Sequence, residues 1–128
     1  MAEATARERE EESETRWIAE VVEGMGLPLP SLRICGGGAK SDLWAQILAD
    51  VLGKKVERVA SPHHVGSLGA SIIARVALGR TDFRSAEREI GVEKEFLPSE
   101  RRGIYDQLYQ EFKSLQGTLS EFFERLNS

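Results

Sequence analysis

Three consecutive glycines, Gly36-Gly37-Gly38, stand directly after the apolar segment Ser31-Leu32-Arg33-Ile34-Cys35. The segment reads as a short strand, and the glycines read as a turn, because glycine adopts φ > 0 without steric cost. Beyond the turn, Ser41 or Asp42 can cap a helix. Leu43, Trp44, Ile47, Leu48, Val51 and Leu52 then recur with a helical period as a broad apolar stripe, and Gly53 fits the position just past a helix end. Residues 56–59 read as a second strand. Strands alternating with helices imply parallel pairing and a right-handed crossover.

The flanks extend this unit. Trp17, Ile18, Val21, Val22 and Met25 have helical spacing, which Gly24 and Gly26 stop and Pro28 and Pro30 keep from resuming. Residues 1–15 are almost purely polar and read as a disordered or solvated tail. After the turn at Ser61-Pro62, residues 65–78 read as a helix rich in small residues. Residues 80–100 read as polar and irregular, with one apolar island at Phe96-Leu97. Tyr105, Leu108, Phe112, Leu115, Leu119, Phe122 and Leu126 then follow at alternating steps of three and four, a narrow seam on one long helix. The order is α-β-α-β-α, a loop and a long helix, with a short parallel sheet.

Composition bounds the function. The 128 residues suit one domain. With 17 Lys and Arg against 21 Asp and Glu, the net charge is −4, unlike the basic patches of general nucleic-acid binders. No apolar run approaches the roughly 20 residues of a membrane helix, and the first residues lack the apolar stretch of a secretory leader. A single cysteine, Cys35, excludes an internal disulfide and a Cys-rich zinc site. These features predict a soluble protein of the cytoplasm that binds neither nucleic acid nor membrane.

A strand that enters a helix through glycines has a chemical use. The backbone can approach a ligand closely, and the helix start offers free N–H groups and the positive dipole end. Lys40 adds a charge, as a phosphate contact or simply a solvated residue. The spacing fits neither the Gly-x-Gly-x-x-Gly fingerprint nor the Walker loop. On local chemistry alone, a plain tight turn and a ligand site both remain open.

The surrounding pattern narrows the choice. Gly36-Gly37-Gly38-Ala39-Lys40-Ser41, Trp44-Ala45-Gln46, Ala49-Asp50-Val51-Leu52-Gly53, Val56 and Gly66-Ser67-Leu68-Gly69-Ala70 recur here in order. So does the ending Tyr105-Asp106-Gln107-Leu108-Tyr109 with Glu111-Phe112. Residues 16–128 thereby resemble the C-terminal part of the second domain of FGGY-family carbohydrate kinases. The resemblance implies a fragment of an actin-like, ribonuclease-H-like α/β ATPase domain, with ATP and its magnesium in a cleft between two domains. Ile34, Gly36, Gly37 and Ala39 match the family's apolar-x-Gly-Gly-x-small adenosine motif. By that resemblance Gly36, Gly37, Gly38, Ala39, Lys40, Ser41 and Asp42 would line the nucleotide. Ser41 and Asp42 stand where glycerol-kinase-like members carry Asn near the adenine. Gly66, Gly69 and Ala70 match a small-residue helix at the interdomain hinge, preceded here by His63-His64-Val65 where many members carry Glu.

Kinases of this family are several times longer. Their Asp-x-Gly-Thr phosphate loop, sugar pocket and general-base Asp lie outside the matching region. Phosphoryl transfer needs positioned phosphates, a metal clamp and an oriented nucleophile. The chain is therefore expected to be a fragment, a truncated gene product or one piece of a split protein. It would supply the adenosine side of the site and no catalysis alone, with a missing N-terminal kinase domain as its natural partner. The alternative function is a truncated, non-catalytic module that self-associates.

The remaining residues read as structural. Cys35 is expected as a packed thiol, Trp17 and Trp44 as core, and Asp50 as a structural or exposed carboxylate rather than a base. His63-His64 reads as a turn and helix start rather than a metal pair, since adjacent residues point apart. Two short strands would leave an unpaired edge and an uncovered apolar face. A homo-oligomer, most simply a dimer, is expected through residues 31–35 or 56–59, the helical seam, or both.

Overall fold

The computed structural model describes residues 6–127. Helix α1 (Ala6–Gly24) leads through a turn to strand β1 (Ser31–Ile34) and a 3-10 turn (Gly38–Lys40). Helix α2 (Asp42–Leu52), strand β2 (Lys55–Val59), helix α3 (Val65–Ala77) and a short helix α4 (Phe83–Glu87) follow. Strand β3 (Val92–Phe96) and the long helix α5 (Arg102–Asn127) complete the chain.

The sheet has the order β1-β2-β3. β1 and β2 run parallel, with Leu32 opposite Val56 and Ile34 opposite Arg58. β3 runs antiparallel to β2, with Phe96 opposite Val56 and Lys94 opposite Arg58, so the sheet is mixed where a parallel one was expected. β3 and α4 lie in the stretch read as irregular. Along β3 only Phe96 is buried, so the strand lacks the alternating pattern by which strands are recognised. It forms because β2 offers a ladder and because Lys55 reaches Glu95 at 3.1 Å. A charged outer strand also discourages pairing with other chains.

α2 lies on one face of the sheet. Ala45, Leu48, Ala49 and Leu52, spaced as one helical stripe, pack with Ile34, Ala39, Val56, Phe96 and Ala19 of α1. Trp44, Leu29 and Leu32 close the margin of this core. Its helix begins at Ser41, whose hydroxyl oxygen accepts from the Trp44 N–H at 3.2 Å, and ends at Gly53 with φ +62°. The opposite face of the sheet is polar rather than apolar. There Glu57 accepts from Ser31 at 3.3 Å and pairs with Arg33 at 3.4 Å, and Lys55 completes the group. β2 is central and both its edges are paired, so residues 56–59 cannot serve as an open edge.

The polar stretch from Ala6 onward is helical, and Glu12 and Ser13 on it are buried; the first five residues of the expected tail lie outside the described residues. Trp17, expected in the core, is 41% exposed, because α1 turns Ala19 rather than Trp17 toward α2. The long helix also sits one step off its seam. Among its described residues Tyr109 is the buried one, while of the seam Tyr105 and Phe112 are half-buried and Leu108, Leu115, Leu119, Phe122 and Leu126 are exposed. The Tyr109 hydroxyl donates to Glu20 at 2.9 Å, and the Arg16 guanidinium lies 4.2 Å from its ring centre. Arg16 also donates to Asp106 at 2.6 Å and to the Val51 carbonyl at 3.0 Å, joining α1, α2 and α5. Polar bonds, rather than the seam, decide how α5 docks.

Two predictions follow from these contacts. Burial, and then the Glu20 carboxylate, pushes the Tyr109 hydroxyl up to about 12. A raised acid favours the neutral form in the fold, so its contribution is complete below about pH 10 and lost as pH rises toward about 12. Tyr109→Phe should cost about 1 kcal/mol at neutral pH and flatten the loss of stability across that alkaline window, read by urea unfolding. Asp50 is buried and accepts from the Ser99 N–H at 2.5 Å and hydroxyl at 3.0 Å, pinning the turn before α5. Asp50→Ala should lower stability by about 2 kcal/mol without altering the glycine turn.

Candidate functional site

The residues expected to line a ligand form one continuous loop at the end of β1. Gly36 has φ +86°, a conformation L side chains rarely adopt, and its N–H donates to the Pro62 carbonyl at 2.8 Å. That bond ties the end of β1 to the turn that follows β2. Gly37 has φ −65° and ψ −43° and opens the 3-10 turn. The Lys40 N–H then donates to the Gly37 carbonyl at 3.2 Å, and the Ser41 N–H to the Gly38 carbonyl at 3.1 Å.

The loop has an inner and an outer side. Ala39 is fully buried in the core, and only a small side chain fits under the turn. On the outer side, a Cβ placed on Gly36 or Gly37 would meet nothing within 4 Å. At Gly38 it would reach ordinary contact with the Trp44 ring at 4.0 Å. The glycines therefore serve no internal packing need at Gly37, and they leave a bare backbone edge facing open space. Lys40 is exposed beside it.

Ser41 and Asp42 have their side-chain oxygens engaged within the protein. Ser41 caps α2. Asp42 pairs with Lys94 of β3 at 2.5 Å and Arg58 of β2 at 2.8 Å. Lys94, then Arg58, holds its carboxyl below the usual carboxylate range. Arg58 also donates to the Ala39 carbonyl at 3.1 Å and lies 3.5 Å from that of Lys40.

Arg58 and Lys94 escaped the sequence reading. The signal was present for Arg58: it shares the parity of Val56, so on a strand its side chain falls on the covered face, where a charge needs a partner.

The remaining candidates lie apart. Cys35 is exposed rather than packed, because β1 ends at Ile34 and its buried residue is Ile34. His63 and His64 are both exposed at the start of α3, with ring centres 4.7 Å apart. Among the described residues no group of three His, Cys, Asp or Glu side chains could hold a metal ion, and no helix is long and apolar enough to cross a membrane. In α3 only Ile72 is buried, so the small-residue face with Gly66 and Ala70 is exposed.

Comparison with known proteins shows the family and the fold. Residues 12–78, just over half of the chain, match the model of the FGGY family of carbohydrate kinases, C-terminal domain. Autoinducer-2 kinases of Yersinia pestis (strain Pestoides F) and Yersinia pseudotuberculosis (strain YPIII) are each 36% identical over 91 residues, covering 69% of this chain. The chain spans 17% of the length of those relatives. The xylulose kinase of Rhodospirillum rubrum superposes over 97% of this chain and 27% of its own, with a TM-score of 0.72 and 22% identity. The gluconate kinase of Lactobacillus acidophilus covers 70% of this chain and 18% of its own, with a TM-score of 0.62 and 23% identity. A strand, glycine turn and helix of this shape, within an α/β fragment that matches the family over more than half its length, make the chain a member of the FGGY family of carbohydrate kinases, carrying part of the actin-like ATPase fold of its C-terminal domain.

Proposed function

We propose that residues 36–42 form the adenosine side of an ATP site in a kinase that transfers a phosphoryl group from ATP to a sugar or polyol hydroxyl. The observation that carries this reading is the bare backbone edge at Gly36 and Gly37, set between β1 and the start of α2. Such an edge admits a flat base or ribose at van der Waals distance, and the helix start beside it favours anions. The exposed Lys40 would supply a positive charge for a phosphate. The relatives and structural neighbours, kinases of autoinducer-2, xylulose and gluconate, support a small hydroxylated acceptor.

The residues present fit the nucleotide and do not fit its magnesium. Asp42, the carboxylate nearest the loop, is held by Lys94 and Arg58. In this reading the metal, the phosphate loop, the sugar pocket and the general base come from sequence outside these residues, supplied by an N-terminal kinase region. Residues 16–128 are then one part of a cytoplasmic two-domain enzyme, and alone they phosphorylate nothing.

A second reading has its own observation. Leu115, Leu119, Phe122, Phe123 and Leu126 of α5 are exposed, as are Ile18, Val21 and Met25 of α1. Among the described residues β1 keeps an unpaired edge. The isolated chain would then self-associate as a dimer through β1, the seam, or both. Sedimentation equilibrium should show a dimer at high micromolar concentration; a compact monomer there contradicts this reading.

ATP with magnesium should raise the melting temperature of the chain, since a ligand of the folded state adds RT ln(1 + [L]/Kd), about 1.4 kcal/mol at tenfold Kd. Gly37→Val should abolish that rise while leaving the melting temperature without ligand nearly unchanged, because φ is −65° there and its Cβ meets nothing within 4 Å. An undiminished rise in Gly37→Val would move the site elsewhere. Turnover of any polyol by the isolated chain, lost on glycine-loop mutation, would overturn the claim that it is not catalytic alone.

A further inference from the structure

The loop's own hydrogen bonds do not account for its shape. A 3-10 turn of three residues leaves its last carbonyls without partners inside the turn. Those of Ala39 and Lys40 point back toward β2, and Arg58 meets them. One guanidinium nitrogen, Nη1, lies 3.1 Å from the Ala39 oxygen, 3.5 Å from that of Lys40 and 2.8 Å from Asp42 Oδ1. Nε faces Glu93 at 3.4 Å, and the guanidinium carbon lies 5.6 Å from the Phe96 ring centre. The residue is 9% exposed. Lys94, opposite Arg58 on β3, takes the other oxygen of Asp42. A buried cation thus clamps both the carbonyls that end the turn and the carboxylate that begins α2.

We propose that Arg58 is a positioning residue for the glycine loop, fixing the bare edge at Gly36 and Gly37 in the orientation a nucleotide requires, with Asp42 and Lys94 as its charge partners. The proposal rests on the nucleotide reading above. The chemistry favours arginine for this task. The guanidinium is always charged, and the two N–H groups of its Nη1 can serve the Asp42 carboxylate and the Ala39 carbonyl at once while the group lies near the Phe96 ring, whereas a lysine ammonium is a strongly hydrated point charge on a flexible stem. Fixing the Ala39 and Lys40 carbonyls also fixes the peptide planes that carry the Lys40 and Ser41 N–H groups. These in turn close on Gly37 and Gly38.

The test compares Arg58→Met, Arg58→Lys and Asp42→Asn with the unaltered chain. Amide hydrogen exchange is read along the backbone, and Kd is measured for ATP with magnesium. Methionine keeps the packing over Phe96 and removes the donors. Exchange at Lys40 and Ser41 should rise about tenfold in Arg58→Met, the value of one charge-assisted hydrogen bond, while the β1–β2 ladder and the body of α2 stay protected. Kd should rise about tenfold with it. Arg58→Lys should recover part of both, and Asp42→Asn, whose side chain is half exposed, should loosen the loop alone. Unchanged exchange at the loop in Arg58→Met overturns the proposal. A rise spread evenly over all amides also overturns it, since Arg58 would then serve general stability. A loosened loop with unchanged ATP affinity overturns the link to the ligand. If the unaltered chain does not bind ATP, the nucleotide reading fails, and selective loosening in Arg58→Met still establishes Arg58 as the clamp of the loop.

Discussion

Helix α2 lying on the sheet face made by Ile34, Val56 and Phe96 is the contact on which the rest of the structure depends. It gives three short strands the helix partner that a sheet this small needs, and makes them one side of a core. Because α2 must follow β1 directly, the chain between them has room only for a tight turn. That turn needs one small residue beneath it, Ala39, and a positive φ at its entry, Gly36. The shape of the glycine turn is thus a consequence of the packing: the same helix that fills the core presents its N-terminus at the end of β1.

Charge, rather than further apolar burial, fixes the parts that packing leaves loose. Arg58 lies within a covered face and is compensated by Asp42, Glu93 and the Ala39 carbonyl. Asp50 holds the start of the α5 connection, and Arg16 with Tyr109 and Glu20 seats α5 against α1. Desolvation offsets much of the attraction in such groups, while removing one partner leaves the other charge uncompensated. They suit a small domain fragment whose exposed α1 and α5 faces contribute little to its own core.

The βαβ unit was legible in the sequence because its signals are local. A helical period, a Ser cap and a C-terminal glycine mark α2, and the glycines mark the turn. The family could be read from the same residues, since its motifs lie within them. β3 was not legible, because four of its five residues are exposed and its existence depends on the ladder that β2 provides. Strand parity puts Arg58 on the covered face with Val56, but its partners do not follow from parity, because Asp42, Glu93 and the Ala39 carbonyl meet it only in the folded chain. The seam on α5 was legible as a period, but not which residue beside it is drawn into the fold, because Tyr109 is held by its contacts with Glu20 and Arg16 on α1.

The central claim is that the glycine turn is a nucleotide-facing surface. A chemical-shift map of the isotope-labelled chain titrated with ATP tests it most directly. Saturable shifts are expected, centred on Gly36, Gly37 and Gly38 and extending to the start of α2, with the α1–α5 face unmoved. Shifts centred on α5 or α3, or none at millimolar ATP, would contradict it.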